Sequence, residues 1–400
     1  MDTTIAGTGC SLMDYLFTGI DFAGPAFDRY RSRSAGDGGL VPGHLVFTDG
    51  LERFAGKPYE QVIEEISGGA QPASRNLGGP SIVALVHAAQ LLNPAGIPVG
   101  FYGVRGDDEP GTELAGIVAK TPLHWDHYLQ EPGETPFTHA LSDPTWANGA
   151  GERSFVNSTG VAGKFRAADI HPSFYDNAIT VFGGTALVPE LHAELEVPVH
   201  RARKGGSLTI VNTVYDFFNE SRAPHQPWPI GRSEETYRNT DLLIVDAEEG
   251  RRLSGEEDPQ KAARRFLEAG VSGVIITRGA EDVFAAARGS RFAPVEGRFF
   301  PVSLRVTEEL RTGKGKAGDT TGCGDNFVGG VLYALAEQLR SGEHRLDLHH
   351  AISWGVASGG YACFYLGGTM IEGHRGAKLV EVTEYVRDYR RQLGAVTGDA

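Results

Sequence analysis

Gly318-Asp319-Thr320-Thr321-Gly322-Cys323-Gly324-Asp325-Asn326-Phe327 is the stretch on which the reading of this chain turns. Val328, Val331, Leu332 and Leu335 follow it at the spacing of an amphipathic helix, so a glycine-rich turn opens directly into a helix. The first amides of a helix have no intrahelical partner and carry partial positive charge. Glycines at 322 and 324 let a phosphate approach that backbone with no Cβ in the way. Asp325 sets a carboxylate beside the anion pocket, where its natural task is to take a proton from an attacking hydroxyl. The same segment also reads as a capped helix start, because Asp is a favoured cap and glycine-rich turns commonly precede helices.

Around this turn, short apolar runs alternate with helical spacing. Residues 3–9, 99–104, 178–182, 208–211, 242–245 and 274–277 read as strands, several of them buried on both faces. Residues 81–92, 111–120 and 259–269 read as helices. The order predicts an α/β fold: a central, mostly parallel sheet with helices on both faces. Residues 22–71 are rich in Gly and Pro with no clear helical period before 59–66, and 121–160 alternate polar and apolar residues between turns. Both stretches predict short strands outside the main sheet, a small β lid drawn from about 15–72 and 121–160 of one 1–400 domain.

The chain has 400 residues, 37 basic and 51 acidic, for a formal charge of −14, which argues against a general nucleic-acid binder. Hydrophobic residues make up 40%, ordinary for a globular enzyme and too many for a disordered chain. The 54 glycines are about twice the usual share and belong to turns and close backbone approaches. Three cysteines make no disulfide framework, and no Lys or Arg precedes Arg29, so the cytoplasm is the expected compartment. Residues 351–371 carry no charge and hold a GxxxG at Gly355 and Gly359, but Ser353, Ser358, Gly360, Gly367 and Gly368 make them a close-packed soluble helix rather than a membrane span.

Asp319-Thr320-Thr321-Gly322-Cys323-Gly324-Asp325 resembles the D-T-x-G-A-G-D turn of the ribokinase-like (PfkB) carbohydrate kinases. Other pieces follow in that family's order. Gly7 to Asp14 looks like its first strand and substrate-contacting Asp; Gly78-Gly79 opens a helix; Gly103 to Glu109 resembles G-x-V-G-D-D; Asp246-Ala247-Glu248-Glu249 stands where N-x-x-E is expected; Thr277-Arg278-Gly279 resembles T-x-G. The likeness spans about residues 3 to 390, and its ordering is more specific than any one motif.

The resemblance implies transfer of the ATP γ-phosphoryl group to a hydroxyl of a sugar or sugar-like molecule. It implies Asp325 as base, the amides of Gly322, Cys323 and Gly324 as anion hole, and Asp14, Gly78 and Gly79 around the acceptor. Thr277 and Gly279 would touch nucleotide phosphates. Asp246 and Glu249 would support Mg²⁺ from its outer shell, and Asp319 with Thr321 match positions that supply oxygens to a monovalent cation such as K⁺. Read alone, Asp246 and Glu249 also suit a capped helix start. A homodimer paired through lid edges is a further expectation. Two alternatives stand: a nucleoside kinase of the same fold, suggested by the long early insertion at 28–56, and a binding protein without turnover.

Three departures from the family pattern stand out. No Asn follows Gly79 in Pro80-Ser81-Ile82-Val83-Ala84, while Asn76 precedes the glycines; Asp246 replaces the Asn of N-x-x-E; Cys323 replaces Ala and reads as a small residue that fits, although a thiol at a helix start also has the setting of a reactive one. The G-x-G-x-x-G at 313–318 comes too late for a dinucleotide fingerprint, and Lys314 and Lys316 read as a solvated loop. His124 and His127 lack a third ligand for zinc, His349-His350 has no metalloprotease context, and Phe17, Phe22, Phe27 and Tyr30 read as lid packing.

Overall fold

The computed structural model describes residues 4–34, 36–149, 151–313, 318 and 320–397. Its strands are β1 (Ile5–Gly9), β2 (Leu12–Thr18), β3 (Leu45–Phe47), β4 (Ser74–Gly78), β5 (Val99–Gly106), β6 (His124–Glu131), β7 (Phe137–Asp143), β8 (Glu152–Ser158), β9 (Ile179–Gly183), β10 (Leu208–Asn212), β11 (Leu242–Asp246), β12 (Gly273–Arg278), β13 (Glu281–Ala287) and β14 (Val295–Phe300). Nine form one sheet in the order β14-β13-β12-β11-β10-β9-β1-β5-β6. It is parallel from β6 to β12, and the hairpin strands β13 and β14 run antiparallel at one edge. β9 and β10 are buried at every residue, as continuous apolar runs covered on both faces must be. β1 pairs with β5 on one side and β9 on the other, so the order of the sheet reverses at β1 and a crevice opens beyond its carboxyl end.

The second sheet has the order β3-β8-β7-β2-β4. Only Cys10 and Ser11 separate β1 of the large sheet from β2 of the small one. One face of the small sheet carries Tyr15, Phe17, Phe137 and His139, packed in the same core as Phe27, Tyr30, Leu51, Tyr59, Val62 and Ile66 from three short helices, Pro25–Tyr30, Thr48–Ala55 and Tyr59–Ser67. The first two helices correct the expectation of strands across 22–71, where β3 is the single named strand among the described residues, while the third agrees with the helical period at 59–66. The first two are about two turns or less, too short to display a period, and glycines mark helix ends here: Gly56 and Gly68 are left-handed caps. The strand pattern within 121–160 also differs from expectation, since β6 joins the large sheet beside β5. Its polar alternation is that of an edge strand with one face in solvent.

Three helices stack behind the site. Pro80–Leu92 is buried along nearly its whole length, Cys323–Arg340 packs across it, and Leu348–Ala362 packs on Cys323–Arg340. The uncharged 351–371 stretch splits between this last helix and a loop. A Cβ on Gly355 would lie 2.9 Å from the Phe327 ring, so the small residues there serve close helix packing. Among the described residues no helix is long and apolar enough to cross a membrane.

Candidate active site

The turn at 320–322 ends in a left-handed Gly322 (φ 73°) that caps the helix Cys323–Arg340. A side chain at 322 would be strained by this conformation and would place its Cβ 2.4 Å from Gly368 Cα, so glycine is required twice over. A Cβ on Gly324 would meet nothing within 4 Å: the front of the turn is open. The amide of Cys323 makes a long 3.3 Å bond to Thr320 O, and the Gly322 carbonyl accepts the first helical bond from Asn326 N. Asp325 lies in this first turn, partly exposed, and burial pushes its carboxyl up to about 6.

Asn326, next to it, is buried and fastens the turn from behind. Its Nδ2 donates to Gly322 O and to Gly368 O, each at 2.8 Å, and its Oδ1 accepts from Tyr365 Oη at 2.9 Å. The loop 365–368 is therefore a template for the anion turn, fixed in place by neutral hydrogen bonds.

Asp14 lies on β2 facing the same crevice. Its carboxylate occupies the space a Gly78 side chain would need, with Oδ2 2.0 Å from an ideal Cβ there. Gly79 opens the helix Pro80–Leu92 against the β1–β2 link, where a Cβ would be 2.7 Å from Cys10 O. Asp14 and Asp325 meet electrostatically at the end of β1: the buried Cys10 thiol is raised well above the ordinary range by burial first, then by Asp14 and Asp325. The structure thus brings Asp14, Gly78, Gly79 and the 322–325 turn around one crevice.

Glu249 approaches from the other side. Asp246 caps the helix Ala247–Ser254 in a reciprocal capping box with Glu249, so the capped-start reading holds for the local geometry. Glu249 is buried; its Oε2 accepts from Thr213 Oγ1 at 2.6 Å and from Asp246 N at 2.9 Å. Burial, then Asp246, and more weakly Asp325, push its carboxyl up to about 8. Asp246 itself is exposed at the strand end, opposite Thr277 in the β11–β12 register. Thr277 Oγ1 donates to Val245 O at 3.4 Å, and Gly279 (φ 62°) turns the chain into β13. Among the described residues no group of three His, Cys, Asp or Glu side chains could hold a metal alone. Asp246 and Glu249 supply the oxygen donors that would support an Mg²⁺ from its outer shell, where the ion would neutralise phosphate charge. Of the two positions matched to a monovalent cation, Asp319 lies outside the described residues, as do Lys314 and Lys316, and Thr321 Oγ1 accepts from Arg153 Nη1 at 3.0 Å.

That last contact identifies a residue the sequence reading missed. Arg153 is on β8 of the small sheet and reaches the anion turn 168 positions away. β8 alternates, so Phe155 and Asn157 face the same way as Arg153. Register places Asn157 opposite Thr138, Thr138 opposite Asp14, and Asp14 opposite Asn76. One face of the small sheet therefore presents Arg153, Phe155, Thr138, Asp14 and Asn76 to the crevice. Phe47, opposite Asn157, stacks on Phe218 of the large body with centroids 4.0 Å apart. His127, by contrast, is stacked between Tyr102 and His171 on β6, away from these residues.

Residues 64–371 match the model of the pfkB family carbohydrate kinase. An adenosine kinase from Anopheles gambiae is similar at 20% identity over 90% of this chain and 95% of its own, with a TM-score of 0.65. An adenosine kinase from Sinorhizobium meliloti gives 16% identity, 96% and 99% coverage and a TM-score of 0.69. A ribokinase from Thermotoga maritima gives 18%, 96% and 99%, and 0.60. The fold is ribokinase-like, and the family match extends over more than half of the sequence: the chain belongs to the pfkB family of carbohydrate kinases.

Proposed function

We propose that this protein moves the γ-phosphoryl group of ATP to a hydroxyl of a small sugar-like molecule. The observation that carries the reading is the open, glycine-lined helix start with Asp325 in its first turn, near the end of β1 where Asp14 also acts. Asp14 receives acceptor hydroxyls over the glycine pair at 78–79. Asp325 takes the proton as the acceptor oxygen attacks the γ-phosphorus and the bond to the ADP oxygen breaks. Amides of residues 322–324 stabilise the charge on the transferring group, and Arg153, drawn in by the small sheet, adds a guanidinium to it. Thr277 and Gly279 hold the phosphates of the nucleotide. Asp246 and Glu249 would support Mg²⁺, whose chemistry there is to neutralise phosphate charge. The small sheet acts as a lid that excludes water, and pairing of its edge strands β3 and β4 in a homodimer is part of this proposal, tested by light scattering.

A nucleoside acceptor is the second reading. It is favoured by the half-buried rings of Phe47 and Phe155 on the small sheet that carries Asp14 and Arg153, where a planar base would stack. An ATP-consumption screen over sugars, sugar acids, polyols and nucleosides decides between the two. Phe155→Ala raises KM for a nucleoside severalfold on the second reading and leaves KM for a sugar unchanged. Absence of turnover on the entire panel, with nucleotide still bound, refutes both.

A further inference from the structure

Cys323 and Cys363 stand 40 residues apart in sequence and 3.4 Å apart, Sγ to Sγ. Both are partly exposed, whereas Cys10 is buried. Cys323 is the first residue of the helix Cys323–Arg340, and Cys363 caps the far end of the helix Leu348–Ala362. The two sulfurs therefore sit at opposite electrical poles. The positive end of one helix favours a thiolate at Cys323. The negative end of the other favours a protonated Cys363, whose S–H points to Gly359 O at 3.8 Å.

We propose that Cys323 and Cys363 form an oxidisable dithiol that closes to an intramolecular disulfide and thereby disables the phosphate-binding turn. The oxidant is hydrogen peroxide. The Cys323 thiolate attacks one peroxide oxygen, the O–O bond breaks, and the other oxygen leaves as hydroxide and is protonated to water. Cys323 is then a sulfenic acid. The Cys363 sulfur attacks the Cys323 sulfur, the S–O bond breaks, and the departing hydroxide takes the Cys363 proton. Two thiols are oxidised, one peroxide is reduced, and two waters are formed.

Closure has a mechanical effect. A disulfide is about 2.05 Å long, so the sulfurs must approach by roughly 1.4 Å. Neither side has slack. A Cβ on Gly318 would already lie 2.3 Å from Cys363 O and 2.6 Å from Tyr365 N, and one on Gly322 would lie 2.4 Å from Gly368 Cα. Side-chain rotation brings the sulfurs together, and the bond then ties Cys323, whose amide is one of the proposed anion-hole donors, to the end of a second helix that is too tightly packed to follow it, so that residual strain falls on that amide. Losing such a donor lowers turnover about a hundredfold or more, and a displaced one should lower it at least about tenfold.

The functional half of this inference rests on the kinase reading, and the chemical half does not. Purified reduced protein is treated with hydrogen peroxide at a few equivalents and divided. Intact mass and a non-reducing peptide map follow the bond; turnover and ADP affinity follow the turn. The expected result is a mass loss of about 2 Da, a peptide linking Cys323 to Cys363, and a turnover loss of about tenfold or more that dithiothreitol reverses. Cys363→Ser, with Cys363→Ala as a second variant, keeps reduced-state turnover and gains an oxygen adduct at Cys323 instead of losing mass. No Cys323–Cys363 link, or a link that leaves both turnover and ADP affinity unchanged, overturns the proposal. Failure of the reduced protein to phosphorylate any alcohol would sink the kinase reading while the peptide map still judged the dithiol.

Discussion

Replacing Asp325 by Asn tests the proposed base and the burial of its charge together. Burial raises this carboxyl from 3.8 to about 6. At about 1.4 kcal/mol per pK unit, keeping it ionised in the folded protein costs at most about 3 kcal/mol. Its partial exposure reduces that figure. Losing a negative charge at a helix start takes back about 0.3–1 kcal/mol. The Asp325→Asn change should therefore stabilise the fold by about 1–2 kcal/mol at neutral pH. With an unfolding entropy of about 2.1 cal/mol/K per residue, a chain of this length gains roughly 1–3 °C in Tm. The folded pKa lies above the unfolded one, so the cost is full above about 6 and vanishes below about 3.8; the Tm gain should fade as pH falls through that window. Turnover should drop by about 10² to 10⁴. In the parent enzyme it should fall with pH below about 6 as the base protonates. The assays are coupled ATP consumption and differential scanning fluorimetry at about pH 7.5 and about pH 4. Turnover within about twofold of the parent refutes the base, and a lower Tm at both pH values refutes the burial argument.

Arg153→Ala should lower kcat about tenfold or more with little change in acceptor KM, because the guanidinium is assigned to the transferring group and not to the sugar. An effect confined to KM would reassign it. Gly322→Ala forces a side chain into a left-handed conformation and against Gly368, so Tm should fall by several degrees along with turnover; an unchanged melting curve contradicts the packing described. Glu249→Gln keeps the shape and the acceptor for Thr213 but removes a carboxyl that a nearby Mg²⁺ would draw into its ionised form, and should raise the Mg²⁺ concentration for half-maximal rate severalfold while Tm holds. An unaltered Mg²⁺ titration would leave Glu249 a capping residue only.

What can be read from the chain is local. The turn at 318–325 and the helix after it show themselves in ten consecutive residues, and the buried strands β9 to β12 show themselves as apolar runs. What cannot be read depends on register or on distant pairing. Arg153 lies in an ordinary polar strand, and nothing near it in sequence indicates that it ends at Thr321. Asn76 precedes Gly78-Gly79 and so falls outside the family pattern, yet the antiparallel register sets it directly opposite Asp14. Cys323 reads as a small residue that fits; its neighbour Cys363 belongs to another helix end and leaves no pattern to find. The helices Pro25–Tyr30 and Thr48–Ala55 are too short for periodicity, and the glycines near them read as generic loop.

The two-residue passage from β1 into β2 has a consequence for how this enzyme can change. On the proposed assignment, the side chains that choose the acceptor ride on β2, β4, β7 and β8, and most of those that handle phosphate belong to the large body, with Arg153 of β8 as the exception that ties the two together. Appetite and chemistry are thus inherited largely on separate stretches of chain. New acceptors can be explored by rewriting the small sheet, provided Arg153 keeps its hold on Thr321.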